Sequence, residues 1–211
     1  MTAVHEHVDQ SAGAHLAHLE EALAKFDHCA EVADELGLML FGALDAGGRV
    51  LAAGNGGSAA QAQHFTAELV GRYQGDRPAY SAICLNAETS TLTALGNDFG
   101  GDAVFARQVE AHGRPRDVFV AYSTSGRSPN VVHAALRARQ LGLNVWVFGG
   151  EQPSPLSDLA DRSVLVPSAH TGVIQELHLM ATHILCAGFD RAWQKYESAV
   201  ALDGGVTWGS R

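Results

Sequence analysis

Five short apolar runs, each followed by a stretch of helical periodicity, limit the folds open to this chain more than any other feature. They are Arg49-Val50-Leu51-Ala52-Ala53, Ser81-Ala82-Ile83-Cys84-Leu85, Asp117-Val118-Phe119-Val120-Ala121-Tyr122, Asn144-Val145-Trp146-Val147-Phe148 and Ser163-Val164-Leu165-Val166. None alternates apolar with polar residues, so each strand must be covered on both faces. Strands of that kind belong in a parallel sheet with helices on either side. The pattern therefore predicts an α/β fold with a five-stranded parallel sheet. Helices are expected from Ser58 to Gly71, near 90–96 and 102–112, up to about Leu141, and from about Thr171 to Tyr196. Ahead of the first strand, Leu16, Leu19, Leu23 and Phe26 step by three and four, and Ala30, Ala33, Leu36 and Leu40 continue the pattern. Asp45-Ala46-Gly47-Gly48 breaks it. The expected organisation is an N-terminal helical hairpin over 1–46, a single domain over 47–196 and a tail over 197–211. The hairpin packs on the domain or forms an oligomer contact. The stretch from Asp203 to Gly209 reads as a loose tail without an assignable role.

Composition removes several classes of function. The 211 residues are 46% hydrophobic, which excludes a disordered chain and a disulfide miniprotein. A formal charge of −9 is the wrong sign for a protein that tracks phosphates, so no nucleic-acid partner is expected. Cys29, Cys84 and Cys186 are widely separated, the pattern of reduced thiols. Met1 to Ala14 is polar and no signal peptide, and no apolar run reaches the ~20 residues of a bilayer span. The expectation is a cytoplasmic protein with no membrane partner.

Ligands of open parallel sheets bind beyond the carboxyl ends of the strands. Two loops fall there. Gly54-Asn55-Gly56-Gly57-Ser58 lets a ligand approach the backbone closely and presents helix-terminal N–H groups to an anion. It lacks the spacing of a Walker A loop or a dinucleotide fingerprint. Ser123-Thr124-Ser125-Gly126-Arg127-Ser128 offers four hydroxyls at another strand-to-helix turn. Helix capping needs one hydroxyl; four make a neutral cradle for a phosphate monoester. On the helix after the first loop, His64 and Glu68 are four apart and share a face. On the last helix Gln175 and His183 are eight apart, ~12 Å along the axis. Together these donors suit Zn²⁺ or another borderline divalent ion, although an i,i+4 His/Glu pair is also a common surface hydrogen bond.

The run Gly54-Asn55-Gly56-Gly57-Ser58-Ala59-Ala60, continued through His64-Phe65, Glu68-Leu69 and Gly71-Arg72-Tyr73, resembles the sugar isomerase (SIS) domain of bacterial phosphoheptose isomerases. Gly96-Asn97-Asp98-Phe99-Gly100, Ser123-Thr124-Ser125-Gly126 and Ile174-Gln175-Glu176 with His178 extend the likeness to about residue 190. The resemblance implies a homotetramer, with active sites at subunit interfaces, that converts sedoheptulose 7-phosphate to D-glycero-D-manno-heptose 7-phosphate through a cis-enediol. It implies zinc held at positions matching His64, Glu68, Gln175 and His183. Positions matching Asn55, Gly56, Gly57, Ser58, Asn97 and Asp98 contact substrate. Those matching Ser123, Thr124, Ser125 and Ser128 bind its phosphate, and Glu68 and Gln175 also lie against the sugar. Glu68 is the expected base and His183 the expected acid. Many members carry Asp where Gln61 stands and Arg where Val173 stands, departures that bear on substrate identity rather than reaction type. The alternatives are a non-catalytic SIS module that binds a sugar phosphate or a protein, and an isomerase for another ketose phosphate.

Overall fold

The computed structural model describes residues 11–202; the Asp203–Gly209 stretch lies outside them. Two helices, α1 (Ala12–Leu23) and α2 (Asp27–Asp45), precede β1 (Val50–Gly54). The order continues α3 (Gly57–Val70), β2 (Ala82–Cys84), α4 (Thr89–Phe99), α5 (Val104–His112), β3 (Val118–Ser123), α6 (Pro129–Gln140), β4 (Asn144–Gly150), β5 (Arg162–Val166) and α7 (Thr171–Leu202). All five expected strands are present and every pairing is parallel, in the order β2-β1-β3-β4-β5. The last helix runs past Tyr196 to Leu202, because nothing between them breaks it. No helix among the described residues is long and apolar enough to cross a membrane.

The apolar runs of β1, β3 and β4 serve two cores at once. Val50, Ala52, Val118, Val120, Tyr122, Trp146 and Phe148 point to one face, packed by α2, α3 and α7. Leu51, Ala53, Phe119, Ala121, Val145 and Val147 point to the other, packed by α5 and α6. Alternate residues of a strand face opposite sides, so neither side tolerates a polar residue. The hairpin packs through α2, which buries Cys29, Ala33, Leu36, Gly37, Leu40 and Leu44. Within α1 only Ala22 is buried, and Leu16 and Leu23 remain exposed.

His178 sits in the first of these cores, fully buried on α7. Its Nε2 lies 3.1 Å from the Gly149 carbonyl at the end of β4, while Nδ1 has no partner. Thr182 Oγ1, 2.9 Å from the Tyr122 hydroxyl, donates to the His178 carbonyl. Burial pulls the His178 pKa down to about 4, against a smaller upward pull from Gly149. The folded value lies below the unfolded value of ~6.5, so the unfolded chain binds the proton first. Stability is then complete above pH ~6.5 and falls as pH drops toward 4. Between pH 7 and 4.5 the loss should be about 2–3 kcal/mol. Urea unfolding of the protein and of His178→Phe at both pH values measures it, and an equal pH dependence in the variant would contradict it.

Candidate active site

Strand order reverses between β1 and β3, since β2 lies on one side of β1 and β3 on the other. Crossovers leaving in opposite directions open a crevice at the carboxyl ends of that pair. The two loops singled out in the sequence flank it. In the first, Gly56 has φ +55°, a conformation that favours glycine. Gly57 opens α3, and a Cβ there would lie 2.5 Å from Gln175 Oε1. The missing side chain is what admits Gln175. Ser58 is buried and its N–H donates to the Asn55 carbonyl at 3.0 Å. Across the crevice, Asn55 and Asn130 exchange reciprocal amide hydrogen bonds of 2.9 and 3.0 Å.

The second loop ends at α6, which starts with Pro129. Ser123 Oγ accepts from the Gly126 N–H at 3.1 Å and Ser125 Oγ from the Arg127 N–H at 3.3 Å. A hydroxyl that accepts still has its own hydrogen to donate. Ser128 occupies the N-cap position but its side chain makes no capping bond. The start of α6 is thus not capped by the Ser128 hydroxyl. Thr124, Ser125 and Arg127 also line a cavity of about 370 Å³ that reaches Gly150 and the first turn of α7 at Thr171 and Ile174. That volume suits a small ligand.

The proton-transfer candidates meet between α3 and α7. These helices run side by side in the same direction, with Gln175 against Gly57 at the start and His183 against His64 further along. His64 Nε2 lies 2.9 Å from His183 Nε2 and 3.4 Å from Glu68 Oε1. The Tyr73 ring stacks on His183 with centroids 5.5 Å apart. Burial, and then the neighbouring His64 charge, push the His183 pKa down, with Glu68 pulling the other way. His183 is therefore biased toward neutral imidazole, the form that can both donate and accept.

Of the four candidate ligands, His64 thus touches both His183 and Glu68, and Gln175 lies two turns earlier against Gly57. Among the described residues no group of three His, Cys, Asp or Glu side chains is set to hold a metal ion as it stands. The two imidazoles face each other through a hydrogen bond of 2.9 Å. Two imidazole nitrogens, a carboxylate and an amide oxygen are a donor set that zinc accepts. The residues fit the group in chemistry.

Asn97 and Asp98 lie at the end of α4, exposed and hydrogen-bonded to each other at 2.9 Å. The two departures from the family pattern are both interior. Val173 is fully buried, and Gln61 is 9% exposed, with its Nε2 donating to the Gln175 carbonyl and its Oε1 left without a partner. Gln61 thus faces α7 rather than open crevice. Sequence reasoning assigned no role to Asn130 or Tyr73. Asn130 follows the Ser-rich loop directly and could have been suspected from that place; nothing local marks Tyr73 as a partner of His183.

The SIS domain family model matches residues 15–150. A phosphoheptose isomerase of Streptomyces coelicolor is 51% identical over 190 residues, 90% of this chain and 82% of that one. One from Bradyrhizobium sp. is 47% identical over 76% of this chain and 81% of its own length. Among solved structures, the phosphoheptose isomerase GmhA of Neisseria gonorrhoeae matches with a TM-score of 0.72 and 37% identity, covering 85% of this chain and 96% of that one. A phosphoheptose isomerase of Francisella tularensis matches with a TM-score of 0.75 and 32% identity, covering 83% and 92%.

Proposed function

This chain belongs to the SIS-domain family and to its phosphoheptose isomerases, and from that premise we infer its chemistry. It is an isomerase that converts sedoheptulose 7-phosphate to D-glycero-D-manno-heptose 7-phosphate. The observation that carries the residue roles is the meeting of Glu68, His64 and His183 across two helices.

Aldose–ketose isomerisation moves a proton between adjacent carbons and a second between their oxygens. Glu68 takes the proton from the carbon beside the carbonyl, leaving a cis-enediol, and returns it to the neighbouring carbon. His183, as neutral imidazole, donates its N–H to the carbonyl oxygen and recovers a proton from the adjacent hydroxyl. The hydroxyls of Ser123, Thr124, Ser125 and Ser128 hold the phosphate, with helix-terminal N–H groups behind them. Asn55, Gly56, Gly57, Ser58, Asn97, Asp98 and Gln175 are the proposed contacts to the sugar. Zinc, held by His64, Glu68, Gln175 and His183, supplies Lewis-acid polarisation of the carbonyl when bound.

The proposed working form is a homotetramer in the cytoplasm with active sites completed at subunit interfaces. The separation of Gln175 from His183 along one helix supports this, as do the exposed Leu16, Leu23, Leu179 and Met180. Incubating the purified protein with sedoheptulose 7-phosphate should yield the aldose. Chelation should stop turnover and added zinc should restore it. Absence of aldose from any phosphorylated ketose would overturn the isomerase reading, and full activity after verified metal removal would overturn the zinc.

A further inference from the structure

Arg77 lies between α3 and β2 and is only 5% exposed. Its guanidinium reaches four oxygens. Nε donates to Asp190 Oδ1 at 2.8 Å, Nη1 to the carbonyls of Leu69 and Pro78 at 3.1 and 3.0 Å, and Nη2 to the Glu68 carbonyl at 2.6 Å. The rings of Phe189 and Tyr80 lie 5.0 and 5.6 Å from its central carbon. The other Asp190 oxygen accepts the Gln74 N–H at 3.3 Å.

Burying an ion pair costs desolvation, and apolar side chains of similar volume often hold a fold as well. They cannot tie chosen atoms together. The carbonyls of Glu68 and Leu69 are among the last four of α3, which have no donor within the helix. A cation also suits a helix C-terminus. Asp190 follows His183 by seven residues on α7, two turns on and on the same face, and Glu68 follows His64 by four on α3, one turn on and on the same face. The guanidinium therefore joins the backbone of Glu68 itself to the helix that carries His183, next to the point where the two helices meet at the imidazoles.

We propose that Arg77 and Asp190 form a buried clamp that sets the Glu68 carboxylate relative to the His64–His183 pair, acting as positioning residues for the proton transfer. This rests on the isomerase reading with Glu68 as base. Displacing a reacting group by about 1 Å can cost on the order of 100-fold in rate, so the clamp should act on kcat and leave phosphate binding nearly untouched.

The test compares the full-length protein with Arg77→Lys and with the double variant Arg77→Met/Asp190→Leu, which removes both charges and leaves neither buried alone. Lysine keeps the charge opposite Asp190 but lacks the planar fork that reaches the helix carbonyls. For each, kcat and KM for sedoheptulose 7-phosphate are measured with the folded fraction under assay conditions. The expected result is a fall in kcat per folded molecule of about ten- to a hundredfold with KM within about threefold, the lysine variant lying between the double variant and the parent. If the double variant does not fold, the same kcat-against-KM split in Arg77→Lys decides. Folded variants with the parent's kcat, or losses that only track the unfolded fraction, would overturn the clamp while leaving the isomerase intact. A parent protein without isomerisation would remove the reaction the clamp serves and overturn both.

Discussion

Glu68→Gln should lose isomerisation by about 10²–10⁴-fold, the usual contribution of a positioned general base, while the protein still folds and binds a phosphosugar. The substitution keeps the shape and an oxygen near His64, where Glu68 Oε1 now lies at 3.4 Å. It also leaves the backbone carbonyl that Arg77 holds. What it removes is basicity. Exchange of the substrate's carbon-bound proton with solvent deuterium should disappear together with turnover, because both need the same proton abstraction. Exchange at the parent rate in the variant would place the base elsewhere and end the assignment of Glu68. His183→Ala gives a less clear result, since it deletes a proposed ligand and the proposed acid at once.

Gly37→Ala should destabilise the fold by about 2–3 kcal/mol, the upper part of the range for overpacking. In an isolated helix this exchange would stabilise by about 1 kcal/mol. Packing decides otherwise here, because a Cβ on residue 37 would lie 2.3 Å from the Leu185 carbonyl oxygen and 2.7 Å from the Phe189 nitrogen. Both are backbone atoms of α7, so no side chain can swing away and the helices must separate. Gly188 also meets α2 closely, its added Cβ falling 2.7 Å from the Asp34 carbonyl oxygen. Gly42 is the matched control: it lies on the same helix with nothing within 4 Å. Denaturant unfolding should show Gly42→Ala as neutral or stabilising and Gly37→Ala as strongly destabilising. Equal stability of the two variants would show that α2 and α7 do not pack as closely as described. Leu185 is two residues from His183, so activity should fall with the packing.

Much of the molecule is written locally in the chain. Each strand is centred on an apolar run that does not alternate with polar residues, which by itself demands cover on both faces, and the structure supplies two cores for alternate residues of β1, β3 and β4. The glycine and serine loops follow β1 and β3, and any parallel sheet puts such loops at one edge. The His64 and Glu68 pairing follows from helical spacing alone. The α1 stripe was less informative: its leucines recur at helical spacing, yet Leu16 and Leu23 face outward. Periodicity reports that a face is apolar, not what covers it.

Tertiary structure decided the rest. His64 and His183 are 119 residues apart and meet only because α3 and α7 lie side by side on one face of the sheet. The same packing turns Gln61 inward onto the Gln175 carbonyl and opens the space over Gly57 that Gln175 fills. It also buries Arg77, a residue whose charge in the sequence suggests only a solvated surface. The sequence by itself determined the fold class, the edge of the sheet where the glycine and serine loops lie and the residue types available there, since these depend on local periodicity and strand burial. Which side chains touch depends on helix-to-helix register, a property of the packed chain that no local pattern encodes.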